Sequence, residues 1–282
     1  MFRSDLLADR RVLVTGGGSG LGKSLGRRLL ELGAHLVICG RRQDTLQATQ
    51  AEFDADFPGR TSFHVCDIRD AEAVEAMLSA IWQDGPLDAL VNNAAGNFLA
   101  KSEELSPRAF DAVTSIVLNG TAYVTLGCGR RWLAEERGGT VLSIVATYAS
   151  TGSAYVTPSA CAKAGVRALT QSLAVEWGDR GIRLNAIAPG PFPTEGAWDR
   201  LVPTQELEDT WRNRIPAKRF GEHGELADLA VFLLADQSSY INGEVVAIDG
   251  GEWLKGAGQF NFMEALSEEQ WDQMNPKRKK KG

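Results

Sequence analysis

The chain has 282 residues, 44% hydrophobic, 8% aromatic and 23% charged, with a formal net charge of −6. This composition excludes a disordered or collagen-like chain and fits one large α/β domain. The acidic balance argues against nucleic acid, and no apolar run approaches the ~20 residues of a membrane span. Four cysteines (Cys39, Cys66, Cys128 and Cys161) lie far apart with no CxxC pairing. They read as reduced thiols, and with no leader of basic start and apolar core at the N-terminus the expected location is cytoplasmic.

Short apolar runs alternate with longer helical patterns. Strands are expected at Arg11–Thr15, His35–Cys39, Thr61–Cys66, Leu87–Asn92, Thr140–Val145, Ile182–Ile187 and Glu244–Ile248. Several are apolar almost throughout, as strands covered on both faces should be. Period-3.6 patterns occupy Gly20–Leu32, Asp44–Phe53, Ala71–Trp82, Pro107–Glu136, Ser159–Trp177 and Glu222–Ala235. Such alternation predicts a single-domain, doubly wound parallel sheet of about seven strands, Rossmann-like, with helices on both faces. The domain covers residues 1–255. Its proline-rich stretch 189–216 is expected to be irregular and to lie over a substrate site. Residues 256–282 form an extension that would cover a neighbouring subunit, with a capped turn expected near Ala265–Trp271 and a solvated basic tail at Lys277–Lys281.

The first strand runs into Thr15-Gly16-Gly17-Gly18-Ser19-Gly20-Leu21-Gly22 and then a helix. Glycines there let a pyrophosphate approach the helix N-terminus, where free N–H groups and the dipole favour anions. An NAD site usually carries an acidic residue after the second strand; here Arg41 and Arg42 follow Cys39-Gly40, where a 2′-phosphate would lie. Ordinary surface arginines are the alternative. Asp67, after the third strand, is a candidate acceptor for the adenine amino group. Asn93, Ala94 and Gly96, in Asn92-Asn93-Ala94-Ala95-Gly96, allow close approach to the adenine ribose. These residues favour NADP(H). His35 and His64 fall in strands and His223 near a helix start at the surface, so no metal site is expected.

The TGxxxGxG turn, NNAAG after the fourth strand, Lys163 in a later helix and Asn185-Ala186-Ile187-Ala188-Pro189-Gly190 together resemble the short-chain dehydrogenase/reductase family. In most of that family a Tyr stands four residues before the Lys and a Ser some thirteen residues earlier still. Here Ser159 and Ala146 occupy those places, so the usual carbonyl–alcohol chemistry is doubtful. Tyr148, eleven residues before Ser159, makes the chain similar to the 2,4-dienoyl-CoA reductase branch. So do Gly96-Asn97-Phe98, Val117-Leu118-Asn119-Gly120, Ala174-Val175-Glu176-Trp177-Gly178, Pro189-Gly190-Pro191 and Thr194-Glu195-Gly196-Ala197 followed by Arg200.

The resemblance implies NADPH-dependent reduction of a 2,4-dienoyl-CoA to a 3-enoyl-CoA in the oxidation of unsaturated fatty acids. Tyr148 and Asn119 would stabilise the dienolate oxygen and Lys163 would hold the nicotinamide ribose. Ser159 would bond to substrate, ribose or Lys163, and Thr194, following Pro189, Gly190 and Pro191, would contact the nicotinamide carboxamide. Arg69 and Arg200, with Arg41 shared, would meet the CoA phosphates. Phe98, Leu99, Phe192 and Trp198 would shape the acyl channel, although packing explains them equally well. The sequence leaves open reduction of a trans-2-enoyl thioester of CoA or acyl carrier protein, and a non-catalytic protein that binds NADP or CoA. A homo-oligomer, by family expectation a tetramer, would pair the long runs Pro107–Glu136 and Ser159–Trp177.

Overall fold

Residues of a strand alternate between the two faces of a sheet, so a strand covered on both must be apolar at consecutive positions. In the computed structural model, which describes residues 2–194, 198 and 202–274, strand β1 (Arg11–Thr15) does this. Val12 and Val14 join the core on one face and Leu13 the core on the other, none more than 1% exposed. The same alternation recurs in β2 (His35–Gly40), β4 (Ala89–Asn92) and β5 (Gly139–Ile144). With β3 (Thr61–Val65), β6 (Ile182–Pro189) and β7 (Val245–Ile248), the described residues form one parallel sheet in the order β3-β2-β1-β4-β5-β6-β7.

Helices α1 (Gly20–Glu31) and α2 (Gln43–Asp56) cover the first face. Helix α3 (Ala71–Gln83) packs on the second. The helix α4 (Pro107–Thr114) continues through a wide π turn, Ser115–Gly120, into α5 (Thr121–Ala134). By length and composition this 28-residue run, whose most apolar 18-residue window has a mean hydropathy of 1.2, could cross a bilayer, contrary to the expectation that no stretch reaches that length. Half of its most apolar window is buried, and Val124, Cys128 and Trp132 belong to the second core, which accounts for its apolar character. After β5 come a one-turn helix α6 (Tyr148–Thr151) and the long α7 (Thr157–Trp177).

The stretch 189–216 is not irregular throughout. It contains α8 (Gln205–Arg214), with Thr204 Oγ accepting from Leu207 N at 3.3 Å, Glu206 and Glu208 in the first turn and Arg212 and Arg214 in the last. Helix α9 (His223–Leu234) lies beside α1 on the first face, joined to it by Arg28 Nε on Asp228 at 2.7 Å. Beyond β7 follow α10 (Glu252–Ala257) and α11 (Glu268–Met274). The expected cap is there: Ser267 N donates to Gln270 Oε1 and Gln270 N to Ser267 Oγ. The basic tail at 277–281 lies outside the described residues.

Strand order reverses between β1, whose next neighbour in sequence is β2, and β4 on its other side. Such a switch point opens a crevice at the strands' C-terminal ends. Thr15 closes its floor: the Thr15 hydroxyl, in a side chain only 1% exposed, accepts from the backbone N–H groups of Asn93 and Ala94, each at 3.0 Å. Thr15→Val keeps the shape and strands two amides, so it should cost about 2–4 kcal/mol in urea denaturation.

Candidate active site

The turn after β1 is built for close approach. Gly16 has φ +66°, and a Cβ there would lie 3.0 Å from Ala94 Cα; one on Gly22 would lie 2.4 Å from the Gly16 carbonyl oxygen. Helix α1 starts at Gly20 with no side-chain cap from Ser19 and no acidic residue in its first turn, so its N-terminal amides and dipole remain available to an anion. Gly18 sits against Thr45 and Leu46 of α2, placing the β2–α2 corner with exposed Arg41 and Arg42 beside it. These features fit a dinucleotide with an anionic centre.

Two residues expected at the cofactor also brace the turn. Thr15 is interior, as described. The Asn93 side chain donates to the carbonyl oxygens of Thr15, at 3.0 Å, and Gly16, at 3.4 Å. Asp67 is held by Arg69, which donates from Nε at 2.9 Å to both carboxylate oxygens and from its backbone N at 3.1 Å. These hydrogen bonds, with a smaller contribution from the Arg41 charge, hold the Asp67 carboxyl below its usual range. Asp67 and Arg69, expected to act separately on adenine and on CoA phosphate, form one paired unit.

Past β5 the chain makes the single turn of α6, ended by Gly152 at φ +71°. Ala149 seats this turn among Val145, Val166, Ala186 and Ala188, and Arg167 Nη1 donates to Ser150 Oγ at 2.8 Å. Tyr148 is thereby aimed at α7, its hydroxyl 3.0 Å from Ser159 Oγ. Ser159, 2% exposed, thus has Tyr148 as its partner and not Lys163. One turn along α7, Lys163 is 7% exposed and its ammonium donates to the Ile144 carbonyl at the end of β5. Burial raises the Tyr148 phenol's pKa, opposed in part by Ser159, so the phenol stays protonated at neutral pH. Burial lowers that of Lys163 to about 8.

Asn119 is exposed on the π turn. That turn packs toward the Tyr148 neighbourhood through Leu118, which joins the cluster of Val145, Ala149 and Val166. Phe98 and Leu99 are 36% and 51% exposed, on a segment joined to the approach to α7 by Ala100 N on the Tyr155 carbonyl at 2.9 Å. Phe192 is 9% exposed, packs against Gly221 and lines a small cavity with Pro191, Ile215 and Phe220. Trp198 stacks on Trp211 at 5.4 Å and meets Phe220 edge-on at 4.7 Å. Thr194 lies over the turn, 3.4 Å from where a Gly20 Cβ would be. Pro189 ends β6, Gly190 N donates to Ile248 O and the Pro191 carbonyl accepts from Gly221 N. Arg200 lies outside the described residues. The sequence reading missed His223, which bonds to both Ser24 and Pro193. No spacing rule links residues so far apart.

A doubly wound sheet, a glycine turn at its switch point and a buried Tyr–Ser–Lys group define a dinucleotide-dependent oxidoreductase. The family described as Enoyl-(Acyl carrier protein) reductase matches residues 16–252. A relative from Bacillus subtilis named "Probable 2,4-dienoyl-CoA reductase [(2E)-enoyl-CoA-producing]" is 43% identical over 88% of this chain and 98% of its own. A Caenorhabditis elegans relative named "Probable 2,4-dienoyl-CoA reductase 3 [(3E)-enoyl-CoA-producing]" is 37% identical over 96% and 90%. A solved short chain dehydrogenase from Bacillus anthracis superposes with TM-score 0.82 at 38% identity, covering 91% of this chain and 99% of that one. An NAD(P) dependent dehydrogenase from Beutenbergia cavernae, solved with bound NADP at low occupancy, gives 0.83 at 32% identity over 89% and 99%. The chain belongs to the short-chain dehydrogenase/reductase family and is an oxidoreductase that uses a nicotinamide cofactor.

The Lys163 ammonium predicts a stability signature. Its folded pKa of about 8 lies below the ordinary 10.5, so below pH 8 both states hold the proton and the burial penalty is fully present. Between pH 8 and 10.5 the unfolded chain binds more protons, so this contribution to stability rises with pH. Lys163→Met should flatten that rise in ligand-free protein, removing roughly 3 kcal/mol of pH dependence in urea melts across the window.

Proposed function

We propose that the protein reduces 2,4-dienoyl-CoA thioesters to 3-enoyl-CoA with NADPH, as part of unsaturated fatty acid oxidation. The observation that carries the reading is the Tyr148–Ser159 hydroxyl pair beside Lys163, with serine and not tyrosine four residues before the lysine. Carbonyl–alcohol interconversion needs a readily ionised acid, and Ser159 is not one. A phenol kept neutral by burial is instead a fixed hydrogen-bond donor, which suits an oxygen that gathers charge without taking a proton. NADPH, when bound, would supply a hydride to C5 of the dienoyl chain. The negative charge would then gather on the thioester oxygen, where Tyr148 O–H and the Asn119 amide would stabilise the dienolate. Protonation at C2, by water or through Tyr148, leaves the 3-enoyl product; protonation at C4 would leave the 2-enoyl product. The two relatives' names divide at this point.

Lys163 would hold the nicotinamide ribose and Thr194 the carboxamide. Arg41 and Arg42 would take the 2′-phosphate, and the Arg69–Asp67 unit would lie toward adenine or CoA phosphate. A second reading, reduction of a 2-enoyl thioester at the same oxyanion site, is favoured by the description of the matching family. A homotetramer would cover Val175 on α7, which is 85% exposed. A reducing compartment such as the cytoplasm suits the free thiols.

The deciding assay follows NADPH oxidation with 2,4-hexadienoyl-CoA beside crotonyl-CoA and acetoacetyl-CoA, with product analysis. Turnover of the dienoyl ester alone is expected, and preference for crotonyl-CoA would move the activity to enoyl reduction. Tyr148→Phe should lower kcat about 100-fold or more, the cost of one oxyanion donor. Changing Arg41 and Arg42 together to Ala should raise KM for NADPH by at least about tenfold, the scale of one charged contact, with KM for NADH little changed.

A further inference from the structure

Helix α9 opens on His223, and both imidazole nitrogens are engaged. Nε2 lies 2.7 Å from the Pro193 carbonyl oxygen and Nδ1 lies 2.7 Å from Ser24 Oγ on α1. A carbonyl oxygen only accepts, so Nε2 carries a hydrogen; in the neutral ring Nδ1 then accepts from the Ser24 hydroxyl. Ser24 stands on α1 one turn after Gly20, its Oγ 3.3 Å from the Gly20 carbonyl oxygen, with its one proton given to His223. The chain Pro193–His223–Ser24 therefore spans from the segment after β6 to the first turn of α1, beside the glycine turn. The next residue after Pro193 is Thr194, whose Cγ2 lies 3.4 Å from the Gly20 Cβ position. Helix α9 is independently fixed to α1 by the Arg28–Asp228 pair, so the imidazole projects from a rigid base.

We infer that His223 is a positioning residue for the dinucleotide site: it holds Pro193–Thr194 against Gly20, so that both walls stand at the spacing a nicotinamide dinucleotide needs. A one-ended contact could not do this. Glu222 and Glu225 make the capping box of α9, which leaves the imidazole free of its own helix and directed across to α1 and the β6 segment. The inference rests on the nicotinamide cofactor and is independent of the acyl substrate.

The test is a fluorescence titration of the full chain with NADPH alone, for wild type and three variants. His223→Ala should raise the Kd about tenfold, the loss of two modest hydrogen bonds. His223→Gln places an amide N–H near the Nε2 position and can still reach Pro193; it should stay within about threefold of wild type. His223→Asn, which can meet only Ser24, should bind as weakly as His223→Ala. With NADPH varied against any turned-over substrate, KM for NADPH should rise while kcat, read at saturating NADPH, should not change. An unchanged Kd in a His223→Ala protein with a native melting curve overturns the inference, as do equal Kd values for the Gln and Asn variants. If His223→Ala does not fold, the Gln–Asn comparison decides alone. Because the titration contains no acyl-CoA, its result stands whether or not dienoyl reduction is found.

Discussion

The Thr15 hydroxyl accepts two backbone N–H groups from the far side of the sheet's central seam. β1 and β4 are adjacent in the sheet yet distant in sequence, and their connections depart in opposite directions. The loops leaving them would otherwise present unsatisfied amides to a crevice with little water, at a cost comparable to a lost hydrogen bond each. Asn93 returns the contact by donating to the carbonyl oxygens of Thr15 and Gly16. The glycine turn is thus held from beneath, and its outer surface, with the uncapped start of α1, is left to the ligand. The parallel strands supply the rest of the geometry, since every β-to-α connection emerges at the same edge.

At that edge stands a group with two opposed requirements. Lys163 is buried deeply enough to lose much of its preference for charge, while the Tyr148 phenol is buried deeply enough to keep its proton. Neither choice favours folding. In the proposed reaction both would serve chemistry, because withdrawal from water strengthens a hydrogen-bond donor. The one-turn helix α6 makes this possible by bringing a tyrosine back onto α7 from the end of β5, anchored by Ala149 in the core and by Arg167 on Ser150. The hydroxyl reaches Ser159 from outside α7, where the usual family arrangement has a tyrosine on α7 itself.

Much of the frame was legible because strands covered on both faces leave nearly unbroken apolar runs, and the observed strands lie within two residues of those runs. The capped start of α11 was legible from Ser267 and Gln270. Helix α8 was not recognised, although Thr204, the acidic first turn and the basic last turn are helix signals; the prolines around it outweighed them. The π turn at Ser115–Gly120 leaves no periodic trace of its own. Gly120 is the clue in hindsight, since a Cβ there would lie 2.6 Å from the Ile68 side chain. Phe192 was open between channel lining and packing, and it packs into the first core, because apolar residues in a loop do not reveal which side the loop packs on.

Sequence alone determined the chemistry available: a glycine turn leading into a helix, two arginines after β2, and a lysine preceded by serine where a tyrosine is usual. These are local facts, set by residue type and spacing along a single element. Tertiary structure decided which of these groups meet. Ser159 could have served substrate, ribose or Lys163, and it faces Tyr148. His223 could have been an ordinary surface residue, and it joins Pro193 to Ser24. The physical reason is common to both: a polar side chain withdrawn from water takes the partner that packing brings within about 3 Å, and packing is a property of the whole fold.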